Sequence, residues 1–282
     1  MRKFIILAVS FLMALSAFGQ TKKEVVRIWP NGAPTSNGLT GPEKDYGDHV
    51  SNVTDPIMTI YVADKPNGKA VLAIPGGSYI DVWDQTEGHW MADWYNAQGI
   101  TLAVLKYRLP NGHTEVPLAD VQEAMRLLRD RAGELGIIHL GVQGCSAGGH
   151  LAATAATHFT TAGNRPDFQI LFYPVITMDD AFTHRDSRRN LLGKDPSEDM
   201  MELYSNEKQV SPETPPAFIL HSSDDGLVPV RNSIEYYNAL VQNHVSATMH
   251  LYPTGGHGWC GHTTFAYRSQ WMSELQHWLE QF

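Results

Sequence analysis

The chain has 282 residues, of which 43% are hydrophobic, and a formal net charge of −9. This length allows one large domain or two small ones, and the composition can fill a sizeable core. An acidic balance without a basic cluster argues against binding to nucleic acid or to an anionic membrane surface.

The first residues have the pattern of a secretory signal peptide. Two basic residues are followed by an apolar stretch and then by small residues at Ser16, Ala17 and Gly19. The apolar stretch is shorter than the ~20 residues that a membrane span needs, and a polar chain follows it directly. We therefore predict a signal peptide at 1–19, one domain at 20–282, no membrane span, and a secreted or periplasmic protein.

Short apolar runs and longer amphipathic runs alternate along the rest of the chain. The apolar runs predict strands at 25–29, 57–62, 70–74, 101–107, 138–143, 169–173, 217–221 and 247–252. Helical spacing occurs at 88–99, 117–136, 147–159, 232–243 and 267–282. This alternation is typical of an α/β fold in which helices cover both faces of a mostly parallel, doubly wound sheet.

Two segments depart from the alternation. Residues 31–56 are rich in turn-forming residues, and we expect them to wrap the surface near the functional site, with disorder as the alternative. Residues 177–216 are polar, contain two short helical stretches and end in a proline-rich exit. Because this second segment is long for a plain connection, we predict a small insertion over the functional face of the sheet.

A serine among small residues follows one of the predicted strands. Gly144-Cys145-Ser146-Ala147-Gly148 has the pattern G-x-S-x-G between a strand and a helix. In that context the serine occupies a strained turn, and a side chain at either glycine would collide with neighbouring backbone. The serine hydroxyl then projects at the carboxyl edge of the sheet, beside a helix N-terminus that favours negative charge. Ser146 is therefore a candidate nucleophile.

A serine hydroxyl is a weak nucleophile and needs a base, which in turn needs an acid to orient it. In this architecture the three residues follow the chain order serine, acid, histidine. Asp224 and Asp225 lie in a loop after the predicted strand at 217–221, and His257 lies in a glycine-bordered loop after the next strand. The chain order therefore fits, and by position alone either Asp224 or Asp225 could be the acid.

Together these motifs resemble the α/β-hydrolase superfamily, and within it the small secreted esterases of the acetyl esterase or acetylxylan esterase type that act on plant polysaccharide. The likeness extends over nearly the whole chain after the predicted signal peptide. It includes "PGGSY", "EGHWMADWYNAQGI", "LKYRLP", "PLADVQEAMRLLR", "GCSAGGHLA", "PPAFILHSSDDGLVPVRNSIEYYNAL" and "GGHGW". The resemblance implies a serine carboxylic-ester hydrolase that removes acetyl groups from carbohydrate such as xylan or xylo-oligosaccharides.

The resemblance also implies roles for individual residues. Ser146 corresponds to the nucleophile, Asp225 to the acid and His257 to the base. The choice of Asp225 follows from the family's H-x-x-x-D-x-x-V-P pattern, which maps onto "HSSDDGLVP" at 221–229. Asp224 is then expected to cap the loop.

The same resemblance places the oxyanion hole at three backbone N–H groups. The family's H-G-G-G loop corresponds to "PGGS" at 75–78, so the N–H groups of Gly77, Ser78 and Ala147 would hold the oxyanion. This sequence departs from the pattern twice, since proline replaces the histidine and Ser78 replaces the last glycine. The departures bear on the loop donors and leave Ala147 unaffected.

Several residues near these motifs have two possible roles. Tyr79 and Trp259 directly follow the proposed catalytic elements, and we predict that they bind substrate, with core packing as the alternative. Cys145 points away from substrate in such a turn, so we expect it to be structural or to form a disulfide with Cys260. His150 is expected to pack or to cap. No metalloprotease, paired-cysteine or dinucleotide motif occurs, so we expect no catalytic metal and no cofactor.

Other functions remain as alternatives to an acetyl esterase on an oligosaccharide or small-molecule ester. A feruloyl or general carboxylesterase would use the same residues. A prolyl-type serine peptidase shares their order, but the chain has no room for the gating domain of such enzymes. A non-catalytic binding module would be expected to lack one of the three residues, and all three are present. The motifs do not encode the acyl group or the sugar.

Overall fold

The computed structural model describes residues 22–282, so the predicted signal peptide lies outside the described residues. The strands are β1 (Lys22–Arg27), β2 (Lys44–Asp45), β3 (Val50–Ser51), β4 (Ile57–Val62), β5 (Gly68–Ile74), β6 (Asp81–Val82), β7 (Thr101–Lys106), β8 (Ile137–Cys145), β9 (Gln169–Phe172), β10 (Ala217–Ser222) and β11 (Ala247–Tyr252). The main sheet has the order β1-β4-β7-β5-β8-β9-β10-β11, and β2, β3 and β6 form a second, small sheet. The pairs β1–β4 and β4–β7 are antiparallel, and the other pairs of the main sheet are parallel.

The helices follow the strands in alternation. They are α1 (Asp84–Glu87), α2 (Ala92–Ala97), α3 (Glu115–Asp130), α4 (Ala132–Leu135), α5 (Ser146–Thr157), α6 (Arg185–Leu192), α7 (Glu198–Leu203), α8 (Arg231–Gln242) and α9 (Arg268–Leu279), with 3₁₀ turns at His89–Met91 and Asn206–Lys208. Each predicted strand overlaps a strand of the main sheet, and the α/β fold class is confirmed. The predicted helix at 117–136 is divided at Arg131 into α3 and α4.

The main sheet has a core on each face because side chains alternate along a strand. In β5, Ala70, Leu72 and Ile74 join the cluster that contains buried residues of α3, α5 and α8. Val71 and Ala73 join the other cluster, which contains buried residues of α2 and α9. The central strands are therefore buried on both sides, as their nearly continuous apolar sequences predict.

Helix α5 lies at the middle of the sheet and is built from small residues, "SAGGHLAATAAT". Its residues from Ser146 to Ala156 are all buried. Alanine and glycine allow this close approach, and a side chain at Gly148 would place its Cβ 2.0 Å from the carbonyl oxygen of Ile74 in β5. The small residues thus fix the first turn of α5 against the carboxyl end of β5.

The order of the strands determines where the functional loops meet. Strand β5 has β7 on one side and β8 on the other, so the chain connections diverge beyond its carboxyl end. Open α/β sheets bind ligands at such a switch point. Here the 75–78 loop leaves β5, Ser146 follows β8, Asp225 follows β10 and His257 follows β11. All four loops leave the same edge of the sheet.

The two segments that depart from the alternation both reach this edge. Residues 31–56 contain β2 and β3, and β3 pairs with β6 directly after the 75–78 loop. Residues 177–216 contain α6 and α7 between β9 and β10. Asn190 of α6 donates a hydrogen bond from Nδ2 to the carbonyl oxygen of Ser78 at 2.8 Å. Within residues 22–282, none of the helices combines the length and apolarity that crossing a bilayer requires.

Candidate active site

Ser146 begins helix α5 directly after strand β8, with a backbone φ of 54°. A positive φ is unfavourable for a residue with a side chain, so the surrounding structure must hold this turn. A Cβ at Gly144 would lie 2.2 Å from the carbonyl oxygen of Gly148, so the turn closes only around glycine. The strained turn projects the Ser146 hydroxyl into a cavity at the sheet edge.

His257 bridges Ser146 and Asp225. Its Nε2 lies 2.9 Å from Ser146 Oγ, and its Nδ1 lies 2.6 Å from Asp225 Oδ2. A carboxylate only accepts hydrogen bonds, so we assign the ring proton to Nδ1 and leave Nε2 to accept from the serine hydroxyl. The arrangement gives Ser146 a neighbouring base in the correct tautomer.

Asp225 is held as an ionised carboxylate by four hydrogen bonds. Its Oδ1 accepts from the backbone N–H groups of Leu227 and Val228, at 2.8 and 2.9 Å. Its Oδ2 accepts from His257 and also from His221 Nε2 at 3.1 Å. Burial alone would raise the pKa of Asp225, but the bonds from the two histidines and from the backbone outweigh burial and hold its pKa well below the usual range.

Asp224 faces a different group. Its carboxylate accepts from the backbone N–H groups of Gly256 at 2.8 Å and Gly255 at 3.3 Å. These glycines precede His257, so Asp224 holds the loop and Asp225 contacts the imidazole. The structure thus separates two adjacent aspartates that position in the sequence could not.

Gly77 and Ser78 line the same cavity as Ser146. The carbonyl oxygen of Gly76 accepts from Trp83 N at 3.1 Å, and that of Gly77 accepts from Ile80 N at 2.9 Å. The C=O and N–H of one trans peptide point in opposite directions, so these bonds also fix the N–H groups of Gly77 and Ser78. Neither N–H meets an acceptor within residues 22–282.

The Gly77 position requires glycine. Its φ is 125°, and a Cβ there would lie 2.2 Å from the carbonyl oxygen of Asp81. Ala147 is in the first turn of α5, where helix geometry leaves the N–H without a partner inside the helix. The structure therefore brings the three predicted oxyanion donors to one end of the sheet, beside Ser146.

Glu87 is a residue of this cavity that the sequence analysis missed. Its Oε2 accepts from the N–H of Gly76 at 2.7 Å, and its Oε1 accepts from the Tyr173 hydroxyl at 2.8 Å. Burial raises the pKa of Glu87, while the proximity of His257 and these two bonds favour the ionised form. In the sequence Glu87 resembles an ordinary acid in the first turn of a helix. Its only other signal is that it begins the segment "EGHWMADWYNAQGI", which is part of the resemblance.

The predicted substrate-binding residues Tyr79 and Trp259 are not among the residues that line the cavity around Ser146. Both side chains are 2% exposed. Tyr79 has a φ of 60°, which turns it into the core, where its hydroxyl bonds His150 Nδ1 at 2.8 Å. Trp259 stacks on Phe265 with ring centroids 4.1 Å apart. Both side chains pack in the core, and Tyr79 also borders a second, neighbouring cavity.

The cavity wall is instead formed by other side chains. Ile80, Trp83 and Leu227 supply apolar surface, Glu87 and His262 supply polar groups, and the cavity volume is about 470 Å³. Ile80 and Leu227 are 58% and 49% exposed, so their apolar side chains are open to a bound molecule. The cavity can therefore hold a small acyl group with part of a larger alcohol.

The remaining candidate residues have structural surroundings. Cys145 and Cys260 are buried free thiols, and burial raises the pKa of the Cys145 thiol. His150 is buried between the Tyr79 hydroxyl and the carbonyl oxygen of Tyr204, at 2.8 Å from each. Within the described part of the chain, no group of three or more His, Cys, Asp or Glu residues is arranged to hold a metal ion.

A strained serine, an aspartate and a histidine in this chain order, on loops at the carboxyl edge of a mostly parallel sheet, define the α/β-hydrolases. The fold comparison agrees, since a carboxylesterase from Lactobacillus plantarum shares the fold at a TM-score of 0.69 and 22% identity, over 85% of this chain and 96% of that one. The BD-FAE family model matches residues 58–240, and the chain belongs to the BD-FAE family.

Two curated relatives are similar to much of this chain. An acetylxylan esterase from Xylanibacter ruminicola is 39% identical over 229 residues, which cover 79% of this chain and 48% of that protein. Endo-1,4-beta-xylanase B from Butyrivibrio fibrisolvens is 34% identical over 233 residues, which cover 77% of this chain and 36% of that protein. The chain thus spans about half or less of the length of these relatives.

One solved structure is similar to this chain over nearly the whole length of both proteins. The acetyl ester-xyloside bifunctional hydrolase from Caldicellulosiruptor lactoaceticus has a TM-score of 0.79 and 33% identity, and the alignment covers 92% of this chain and 96% of that one. The resemblance to α/β-hydrolases of the acetyl esterase or acetylxylan esterase type is confirmed by these matches.

Proposed function

We propose that this protein is a serine carboxylic-ester hydrolase that removes acetyl groups from carbohydrate such as xylan or xylo-oligosaccharides. The observation that carries the proposal is the hydrogen-bond chain from Asp225 through His257 to Ser146, beside free N–H donors in the same cavity. Family membership and the similarity to an acetylxylan esterase and an acetyl ester-xyloside hydrolase support the acetyl ester and the sugar.

The first half of the reaction forms an acyl-enzyme. Ser146 Oγ attacks the carbonyl carbon of the ester while His257 Nε2 takes its proton. The negative carbonyl oxygen accepts hydrogen bonds from the N–H groups of Ala147 and of Gly77 and Ser78, which are already oriented before substrate binds. The bond from the carbonyl carbon to the sugar oxygen then breaks, and His257 returns the proton to that oxygen.

Water completes the reaction by the same steps. A water molecule attacks the acyl carbon while His257 takes its proton, and the bond to Ser146 Oγ then breaks as His257 returns the proton to that oxygen, which releases acetate. Asp225 remains ionised throughout, because its pKa is held low by its hydrogen bonds, and it stabilises the imidazolium that forms twice in each cycle.

Glu87 acts in this proposal as a positioning residue. Its two carboxylate oxygens join Gly76, at the start of the oxyanion loop, to Tyr173, whose ring lies 4.6 Å from that of His257 between centroids. One buried side chain thereby connects the oxyanion donors to the base. Loss of Glu87 would loosen both the oxyanion donors and His257. Because these groups act on the transition state, the loss should lower kcat more than it weakens substrate binding.

The size of the cavity supports a short acyl group. About 470 Å³ must hold the acyl group and the nearest part of the alcohol, between Ile80, Trp83 and Leu227. Each methylene that a pocket must fit or exclude is worth only about 1–3 kcal/mol, so the preference should be graded. We also propose export to the periplasm or the medium, on the basis of the predicted signal peptide.

Hydrolysis of a matched series of esters tests the proposal. We expect p-nitrophenyl acetate to be cleaved faster than the butyrate and much faster than the octanoate, and acetylated xylo-oligosaccharides to release acetate. Faster turnover of octanoate than of acetate would contradict the short-acyl preference. Release of ferulate from a feruloylated sugar, with no acetate released from acetylated oligosaccharides, would favour the feruloyl esterase alternative.

A further inference from the structure

A second cavity adjoins the one that contains Ser146. Its volume is about 480 Å³, and its lining combines apolar Leu39, Ile80 and Leu109 with the amides of Asn52, Asn111 and Asn190. An apolar floor with fixed amide groups is a surface suited to a sugar ring, which presents both C–H and O–H groups. Nothing in the proposed reaction at Ser146 uses this cavity.

The two cavities share a wall. Ile80 lines both of them. Ser78 lines the first, and its carbonyl oxygen accepts from Asn190, which lines the second. A chain of sugars with its ester at Ser146 can therefore continue over Ile80 into the second cavity.

Two cations line the second cavity, although the protein is acidic overall. Arg189 and Lys194 border it, and both also border a neighbouring depression with Arg185 and Arg188. The sequence analysis found no basic cluster, because these four residues are spread over ten positions. The helix α6 and the turn after it bring them together in the fold.

Three of these four cations have no protein partner within residues 22–282, and the fourth, Arg188, pairs with Asp180. Among the arginines of residues 22–282, Arg185 and Arg189 are the ones that contact no acidic side chain, carbonyl oxygen or aromatic ring. Lys194 likewise has no ion pair in that part of the chain. Unused guanidinium donors beside a cavity suit a planar carboxylate.

We propose that the second cavity binds a sugar that carries a carboxylate, a uronate, within the same oligosaccharide whose acetyl ester is cleaved at Ser146. Arg189 would bind the carboxylate through paired N–H donors, with Lys194 as a second cation, while the ring lies on Ile80 and the asparagine amides. The inference rests on the proposed esterase function and names the class of its substrate as acidic acetylated oligosaccharides.

The test compares two acetylated xylo-oligosaccharides of equal length, one with a uronate branch and one without it. We expect the wild-type protein to have a kcat/KM about tenfold higher on the acidic one at low salt, and the ratio to fall as salt screens the charges. Arg189→Gln should lower this ratio about tenfold, and Lys194→Gln should lower it less. A wild-type ratio near one, or a ratio that Arg189→Gln leaves unchanged, overturns the inference.

A control variant separates the site from the overall charge. Arg126 is exposed on α3 and pairs with Glu123 and Asp130, so Arg126→Gln removes one positive charge elsewhere and should leave the ratio unchanged. Acetylated oligogalacturonides are a further substrate in this test. If they are cleaved faster than the xylo-oligosaccharide with a uronate branch, the bound uronate belongs to the main chain and not to a branch.

Failure of the inference can be told from failure of the proposed function. Hydrolysis of p-nitrophenyl acetate with equal rates on acidic and neutral oligosaccharides retains the esterase and rejects the uronate site. If no ester is cleaved, calorimetric titration of the protein with the deacetylated acidic and neutral oligosaccharides still decides. Tighter binding of the acidic one, weakened by Arg189→Gln, supports the site, and equal binding rejects it.

Discussion

Replacing Asp225 with asparagine should invert the tautomer of His257. The amide oxygen of asparagine keeps the bonds from Leu227 and Val228 only if it takes the place of Oδ1. The amide nitrogen then takes the place of Oδ2, which lies 2.6 Å from His257 Nδ1. Because the amide donates, Nδ1 must accept, and the ring proton moves to Nε2. There it faces Ser146 Oγ and blocks proton transfer.

The opposite orientation of the asparagine amide is higher in free energy. It would place the amide N–H groups against two backbone N–H donors, each of which would lose its acceptor at a cost of about 1–3 kcal/mol. The wrong tautomer therefore persists, and an equivalent substitution in a related triad lowers kcat about 10⁴-fold. We expect a similar loss for Asp225→Asn, which is about 5 kcal/mol of transition-state stabilisation.

Asp224→Asn provides the matched control. Asp224 is exposed and accepts from Gly255 and Gly256, so asparagine can keep the shorter of the two bonds with its amide oxygen. We expect kcat to fall less than about tenfold, in line with one hydrogen bond of about 1 kcal/mol. The assay is kcat on p-nitrophenyl acetate for both variants, with circular dichroism as the check on folding. A larger loss for Asp224→Asn, or a loss under tenfold for Asp225→Asn, refutes this reasoning.

Three further predictions concern other parts of the site. Ser146→Ala should leave a folded protein with almost no esterase activity, whereas Cys145→Ala should keep most of it, because that thiol is buried outside the cavity; labelling by a fluorophosphonate should occur in the second variant only. Glu87→Ala should lower kcat at least tenfold with little change in KM, and Glu207→Ala, which removes a half-buried glutamate with a raised pKa outside the cavity, should not; equal kinetics for the two would reject the positioning role. Burial lowers the pKa of His150 from 6.5 to about 4, so below pH 6.5 the unfolded chain binds the proton first and the folded state loses stability, by about 3 kcal/mol on reaching pH 4. Urea unfolding should show a smaller pH dependence for His150→Gln than for the wild type, and parallel curves would contradict the prediction.

Much of the fold was predictable because it depends on local patterns. Strands such as β5 and β10 are short apolar runs, and their sequences alone place them inside a parallel sheet. Ser146 and His257 were also accessible, since tight turns around glycine leave a motif in the sequence. The sequence does not predict whether a side chain beside such a turn points into the core or into the cavity.

Tyr79 and Glu87 show why the rest could not be predicted. Tyr79 follows the oxyanion loop in sequence, but a left-handed backbone conformation sends its side chain into the core. Glu87 is separated from Gly76 by ten residues, and it follows β6 whereas Tyr173 follows β9, so its two bonds exist only after the fold has formed. Neither a backbone conformation nor a long-range contact leaves a periodic signal.

The small sheet of β2, β3 and β6 suggests where the chain can be divided into complementing fragments. A fragment of residues 57–282 contains Ser146, Asp225 and His257, yet its oxyanion loop is followed by a β6 strand that has lost its partner β3. A separate peptide of residues 22–56 would restore both that pairing and the β1–β4 edge of the main sheet. The rate of ester turnover by the mixture would then report the fraction of the fragment that has bound the peptide.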